Sequence, residues 1–568
     1  MFRLRIPASV LLLLALGTAA ASAGEPPRVG PAPPPLPNWK NLWKRHRPVA
    51  MEAFWIPAPP PPAPTPIPAP APSDASGFVP GEVPPPPVPP TLTAVVVEQI
   101  LIPALGDGVP RVRSESALGL GRIGRHTALL EETLRRRAED PEETEDVRGS
   151  ALIALAGIGS RELSLWILDV FADAKEPASI RCHAAVALGL MRCRETVPAL
   201  IAALAEEDAP PDARGGALAA LGLAGGGEAA AALHGYLVDA GASPLERAVA
   251  AASLASMEST EFFLAAEEGR TRLDVVEAME KALADRSSPA ALRRVAALAL
   301  GEIGRRGTSV EALLQASRED PDAGTAGFAL FSLGRLLGEG EAGTEAAGAI
   351  AEALGGEGGG SVTAFGALAA SVSGDRRFAS ALHGIFNSHV RPGVRAASAL
   401  ALGRLGWSPA IEDLGREVEM PRDGGDARGF ACMAVGLIGT PQGLRYLESI
   451  LESVRVPYLL WWAARGLAFR GEEGDRLRIE SILREKSAVS RRAGAMALSL
   501  LGGEQALRDL LDALENEKEK DTKALYIHLA SVMACPGGLR PLDRLARLLP
   551  GEAAAGMPAF QSVLKRKR

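Results

Sequence analysis

One thirteen-position pattern, apolar-Arg-x-x-Ala-x-x-Ala-Leu-Gly-x-x-Gly, recurs along this chain and constrains its fold more than any other feature. With a residue of slack it is written at VRSESALGLGRIG (112–124), VRGSALIALAGIG (147–159), IRCHAAVALGLMR (180–192), ARGGALAALGLAG (213–225), LRRVAALALGEIG (292–304), VRAASALALGRLG (394–406) and ARGFACMAVGLIG (427–439). Weaker copies begin near 246, 325, 360, 457, 490 and 521, which makes thirteen starts, most of them 30–35 residues apart. A fixed period of that length is the mark of a repeat architecture. Apolar positions three and four apart predict a helix in each copy, and a second such run follows, as in ETVPALIAAL (195–204) and TPQGLRYLESIL (440–451), before a polar stop. One hairpin cannot bury both of its apolar faces, so neighbours must stack. The predicted fold is all-α: an α-solenoid of about thirteen helical hairpins, preceded by a disordered proline-rich tail.

The details of the pattern fit that packing. Ala and Gly in the first helix allow close backbone approach between stacked helices, and the final Gly suits a helix C-terminus that needs positive φ. The interval from 246 to 292 is longer than the period, with Arg272–Asp285 reading as a displaced second helix after a loop around Glu258–Thr271. Segment 92–110 reads as a capping half-repeat. These units resemble HEAT repeats, specifically the short HEAT-like type of the phycobilin lyases, over roughly 93–550. The resemblance implies a protein-binding solenoid, since members mostly bind other proteins on a concave surface lined by second helices, and a minority are enzymes. On those helices Val197, Leu200 and Leu204 mark the core, while Trp166, Tyr236 and Tyr446 fall between core positions and are the candidate protein-binding anchors. Trp461 and Trp462 lie on a first helix and read as structural.

Four segments follow from composition. Residues 1–23, with Arg3 and Arg5, an apolar run over Val10–Leu16 and Ala21-Ser22-Ala23, read as a secretory signal peptide. Residues 24–91 read as a disordered proline-rich linker, because 25 of the 45 prolines fall between Pro26 and Pro90 and such a chain cannot build a core. Residues 92–550 form the solenoid, and 551–568 a terminal segment ending in Lys565–Arg568. Inside the linker, residues 38–56 form an island in which Trp39, Leu42 and Trp43 have helical spacing, with Lys40, Lys44, Arg45 and Arg47 around them. Trp39, Trp43, Lys44 and Arg45 are the candidate docking residues of the tail. Their target is the chain's own acidic body, or an outside partner such as an envelope polyanion or membrane surface. Residues 93–568 hold 54 basic against 64 acidic side chains, which gives no electrostatic reason to expect nucleic acid.

The sequence holds no catalytic or cofactor motif in the context its chemistry needs. Gly119-Leu120-Gly121-Arg122-Ile123-Gly124 spells G-x-G-x-x-G, but inside a repeat helix with no strand before it, so no dinucleotide is expected. Phosphate-loop, nucleophile-elbow and His-Glu-x-x-His motifs are absent from the sequence. HEAT-like di-iron hydroxylases use His-Glu ligands, and none of the seven histidines here precedes a Glu. Cys182, Cys193, Cys432 and Cys535 read as small buried apolar side chains without disulfides, and acidic turns such as Glu139–Glu143 and Glu206–Asp208 as solvated. The expectation is an exported, non-catalytic scaffold or adaptor without metal or cofactor, in the periplasm or envelope of a bacterium, as Gly- and Ala-rich usage suggests. Its partner is a protein that the sequence does not identify, and its oligomeric state is open. The alternatives are a structural envelope spacer attached through the Trp/basic tail and, further off, a bilin-lyase-like enzyme.

Overall fold

The computed structural model describes residues 90–534, apart from 125–126, 160, 207–209, 258–269, 304–307, 338–340, 357–359, 420–425 and 454–456. Residues 1–23 with their signal-like pattern, the tail residues Trp39, Trp43, Lys44 and Arg45, residues 258–269, Cys535 and the basic terminus lie outside the described residues. A leading helical stretch, 90–104, precedes the repeats. Helices are numbered along the chain from there, so that first helices of hairpins are odd and second helices even. The first helices are α1 (Pro110–Ile123), α3 (Glu145–Ile158), α5 (Ala178–Leu190), α7 (Pro211–Ala224), α9 (Pro244–Ser256), α11 (Ala290–Ile303), α13 (Ala323–Leu336), α15 (Gly360–Ser373), α17 (Pro392–Arg404), α19 (Asp426–Ile438), α21 (Pro457–Arg470), α23 (Ala488–Leu501) and α25 (Lys520–Met533). The second helices are α2 (Ala128–Glu139), α4 (Arg161–Ala172), α6 (Val197–Leu204), α8 (Gly227–Val238), α10 (Arg270–Ala284), α12 (Thr308–Glu319), α14 (Glu341–Leu354), α16 (Ala379–Ser388), α18 (Ile411–Glu419), α20 (Pro441–Ser453), α22 (Glu473–Leu483) and α24 (Gly503–Asn516). Every one of the thirteen sequence starts falls on a first helix, and α10 is the displaced second helix after the long interval.

Two compact units are distinguished. One is Val97–Ala316; the other runs from Ser317 through α25 and includes Pro90–Val96. Each is a two-layer α-solenoid, with odd helices packed side by side in one layer and even helices in the other. The odd helices approach backbone to backbone. A Cβ added at Gly189 of α5 would lie 2.6 Å from the Ala220 Cα of α7, and one at Gly403 of α17 the same distance from the Ala434 Cα of α19. Such contact leaves no room for a methyl group, and so fixes the identity of the tenth position in the pattern. The thirteenth position closes the helix. Gly439 takes φ 71° after α19, and Arg192, which replaces Gly after α5, is held at φ 52°.

The repeat arginine joins one hairpin to the next. Nε of Arg148 donates to the Ala138 carbonyl at 2.8 Å, Arg181 to Phe171 at 2.8 Å, Arg247 to Leu237 at 3.0 Å and Arg428 to Val418 at 2.7 Å. Each acceptor lies ten residues back, one residue before the end of the preceding second helix, where carbonyls lack partners within the helix. The guanidinium thus caps the helix before it with a charge-assisted bond. At the leading stretch Leu101 is buried and its carbonyl accepts from the Ser116 hydroxyl. Within the unit that begins at Ser317, the Thr93 hydroxyl donates to the Ala534 carbonyl after α25, at 2.9 Å.

Candidate functional site on the second helices

The three aromatic residues marked by the sequence all sit half-buried on second helices, and all three reach back to the second helix before. Arg135 of α2 stacks over the Trp166 ring of α4 at 4.8 Å. The Tyr236 hydroxyl of α8 donates to the Leu204 carbonyl that ends α6, at 2.7 Å. Its pKa is raised, chiefly by burial and then by the nearby Glu246 carboxylate. Tyr446 of α20 lies against Gly415 of α18, whose missing side chain makes room for the ring, and its hydroxyl accepts from Gln442 Nε2 at 3.3 Å. The contacts span one period, so each aromatic ties neighbouring repeats together while remaining half-buried. The residues lie in different hairpins: Trp166 and Tyr236 belong to Val97–Ala316, and Tyr446 to the other unit. The core positions Val197, Leu200 and Leu204 are buried as expected.

Trp462 has the structural place expected of it. It is fully buried, fills the notch left by Gly429 and packs on Phe430 with ring centroids 5.0 Å apart. Trp461 is half-buried beneath the Arg465 guanidinium, 3.8 Å from its ring centre.

Glu139, Glu142 and Glu206 of the acidic turns are exposed as expected, Glu207 and Asp208 lie outside the described residues, and Glu143 is the exception. Glu143 is buried rather than solvated, and accepts from Arg113 of α1 and Arg137 of α2, each at 2.7 Å. Glu176 pairs with Arg148 at 2.7 Å, and Glu246 with Arg214 at 2.7 Å. Burial works to raise the Glu246 pKa, but hydrogen bonds from Arg214 and Ser243 outweigh it and hold the carboxyl below the ordinary glutamate range. These carboxylates serve the repeat arginines, and a cation would have to displace a guanidinium to use them. Among the described residues no group of three His, Cys, Asp or Glu could hold a metal ion.

Among the cysteines, Cys182 and Cys432 are buried and neither is in a disulfide, and burial pushes the Cys432 thiol up to about 12. Cys193 departs from expectation: it stands half-exposed in the turn before α6, where its thiol meets the Ser164 hydroxyl of α4 at 3.6 Å. Gly119 and Gly121 are buried within α1, so the G-x-G-x-x-G string forms helix rather than a phosphate-cradling loop. Among the described residues no helix is long and apolar enough to cross a membrane.

Sequence reasoning missed the polar ties between second helices. His383 Nε2 and Asn387 Nδ2 of α16 both meet Asp413 Oδ2 of α18, at 2.8 and 2.9 Å, and Arg416 donates to the other oxygen at 2.9 Å. Burial opposes ionisation of Asp413, but the bonds from Asn387 and His383 and the charge of Arg416 lower its pKa. Further on, Arg478 of α22 donates to Glu448 of α20 at 2.8 Å, and Arg476 pairs with Asp509 of α24. The available signal was spacing, since His383 and Asp413, Arg478 and Glu448, and Arg476 and Asp509 lie 30–33 residues apart.

The family model described as PBS lyase HEAT-like repeat matches residues 180–206 and 394–416, which are the hairpins α5–α6 and α17–α18. No curated protein matches the sequence. Among solved structures, human deoxyhypusine hydroxylase is similar at 23% identity over 48% of this chain and 95% of its own, with a TM-score of 0.22. The CpcE–CpcF complex of phycocyanin lyase from Nostoc sp. PCC7120 shares 20% identity over 45% of this chain and 93% of that one, with a TM-score of 0.29. Importin beta shares 12% over 84% and 72%, with a TM-score of 0.37. These likenesses are too distant to bear on activity. Two of the thirteen recurring hairpins thus match the short HEAT-like repeat of the phycobilin-lyase type, and the others repeat the same first-helix pattern along an α-solenoid.

Proposed function

We propose that the chain is an exported, non-catalytic scaffold or adaptor that binds another protein through the face formed by its second helices. The observation that carries the reading is the state of Trp166 and Tyr236: both are held by a contact to the preceding helix and both are only half-buried. An aromatic held in one orientation loses little entropy when a partner covers it, which is what an interface anchor requires. The signal-like residues 1–23 support export, and the HEAT-like resemblance supports a protein as partner.

The test is affinity capture from bacterial envelope extract with the full chain as bait. Truncating the anchors themselves would also break repeat contacts, so the informative variant changes their exposed neighbours, Leu165→Glu with Ala231→Glu. Proteins retained by the native bait and lost with a variant of unchanged melting temperature are the expected result. If neither bait retains a protein while the full chain sediments with envelope material, the spacer reading replaces the adaptor.

A further inference from the structure

The solvent side of α4, α6 and α8 repeats with the period of the core. Glu162, Glu195 and Glu228 are exposed at the N-terminal ends of the three helices, 33 residues apart, and Leu165, Pro198 and Ala231 are exposed three residues further on. Two contacts place the helices side by side: Cys193 to Ser164, and Tyr236 to the Leu204 carbonyl. The result is a glutamate row beside an apolar row on one surface of the unit Val97–Ala316. Leu165 is 52% exposed, Val238 at the end of α8 is 53% exposed, and α6 carries no charged side chain at all. Between Glu162 and Asp239 the described residues expose seven carboxylates against three basic groups, Lys175, Arg192 and Arg194.

A surface of this kind fits an amphipathic segment with aromatic residues on one side and cations around them. Residues 38–56 of the same chain have that composition: Trp39, Leu42 and Trp43 at helical spacing, with Lys40, Lys44, Arg45 and Arg47. The proline-rich connection from Pro57 to Pro90 gives it reach, about 100 Å at roughly 3 Å per residue in extended polyproline form. We propose that residues 38–56 dock on the exposed face of α4, α6 and α8 of their own chain, holding the surface that the proposed protein partner would have to take from them. The two tryptophans cover the apolar row, and Lys40 and Lys44 face the glutamates.

The test needs only the isolated full chain. A water-soluble carbodiimide joins an amine to a carboxylate at contact distance, and mass spectrometry of the digest locates the product. The expected products join Lys40 or Lys44 to Glu162, Glu195 or Glu228, and in a mixture of isotope-labelled and unlabelled protein they remain within one chain. Trp39→Ala with Trp43→Ala should abolish them without a change in the circular dichroism spectrum. Leu165→Glu should do the same with an unchanged circular dichroism spectrum. Cross-links from these lysines to other carboxylates, or none at all, would overturn the proposal. Products only of mixed isotope composition would assign the face to a second copy instead. Loss of the cross-links on adding phosphatidylglycerol vesicles would leave the proposal standing, whereas vesicle binding with no cross-link beforehand would assign the island to the membrane surface.

Discussion

Glu519 stands at the start of α25 and accepts from the backbone N–H groups of Asp521 and Thr522, from the Thr522 hydroxyl and from Arg492. Burial acts to raise its pKa, but these bonds outweigh it and bring the carboxyl down to about 2, from an ordinary value of 4.5. A carboxylate depressed in the folded state stabilises fully above its unfolded pKa, and that contribution is lost as pH falls through the folded one. Glu519→Ala should therefore lower the melting temperature at pH 7, and the difference from the native chain should shrink between about pH 4.5 and pH 2. A difference constant over that range would show that the ionised form is not what α25 uses. The repeat arginine gives a second prediction. Arg148→Ala removes the cap on the Ala138 carbonyl and the partner of Glu176, and should cost roughly 1.5–3 kcal/mol in denaturant unfolding. Arg136→Ala, at an exposed pair with Glu132, should cost no more than about 0.5 kcal/mol. The sequence displayed these arginines at a fixed position in the pattern, but not their task, because the acceptor is a backbone carbonyl that no side-chain identity reveals.

At the scale of the helix, glycine has opposite effects in the two layers. Gly189 of α5 faces the backbone of α7, and a methyl group there must push the helices apart. Gly189→Ala should destabilise by about 1–3 kcal/mol as an overpacked contact. Gly235 of α8 is exposed, with nothing within 4 Å of the place a Cβ would take. Gly235→Ala should stabilise by about 0.5–1 kcal/mol, because the helix then carries less backbone entropy to lose. Paired thermal melts of the two variants check both signs at once. The recurring Gly in the first helix was legible in the sequence as a close approach, since it returned at one position in copy after copy. The second helices lack such a signature. Their ties run through Trp166, Tyr446, Asp413 and Arg478, a different residue type at each joint, so single-repeat reasoning marked the aromatics without showing what they touch.

For the molecule as a whole, each hairpin meets chiefly its neighbours, and stability is a sum of local terms. Leu188 and Leu402 are fully buried in α5 and α17, which belong to different units. Either Leu→Ala change should cost about 2–5 kcal/mol, and hydrogen exchange should report the loosening in that leucine's own unit while the other keeps its protection. Among the described residues, the bond from Thr93 to Ala534 departs from this locality, joining residues 441 apart in sequence. Thr93→Val should raise exchange at the end of α25, a result that a purely nearest-neighbour solenoid would not give. The sequence by itself determined the hairpin, its number of copies, its buried positions and the small residues of its first helix, because each depends on a period within the chain. Tertiary structure alone decided that Glu143 is a buried counter-ion, that Trp166 and Tyr236 are stitched to the helices before them, and that α4, α6 and α8 expose a glutamate row beside an apolar one. Those features arise from residues one period apart brought side by side, and only the packing of one hairpin on the next sets which of them meet.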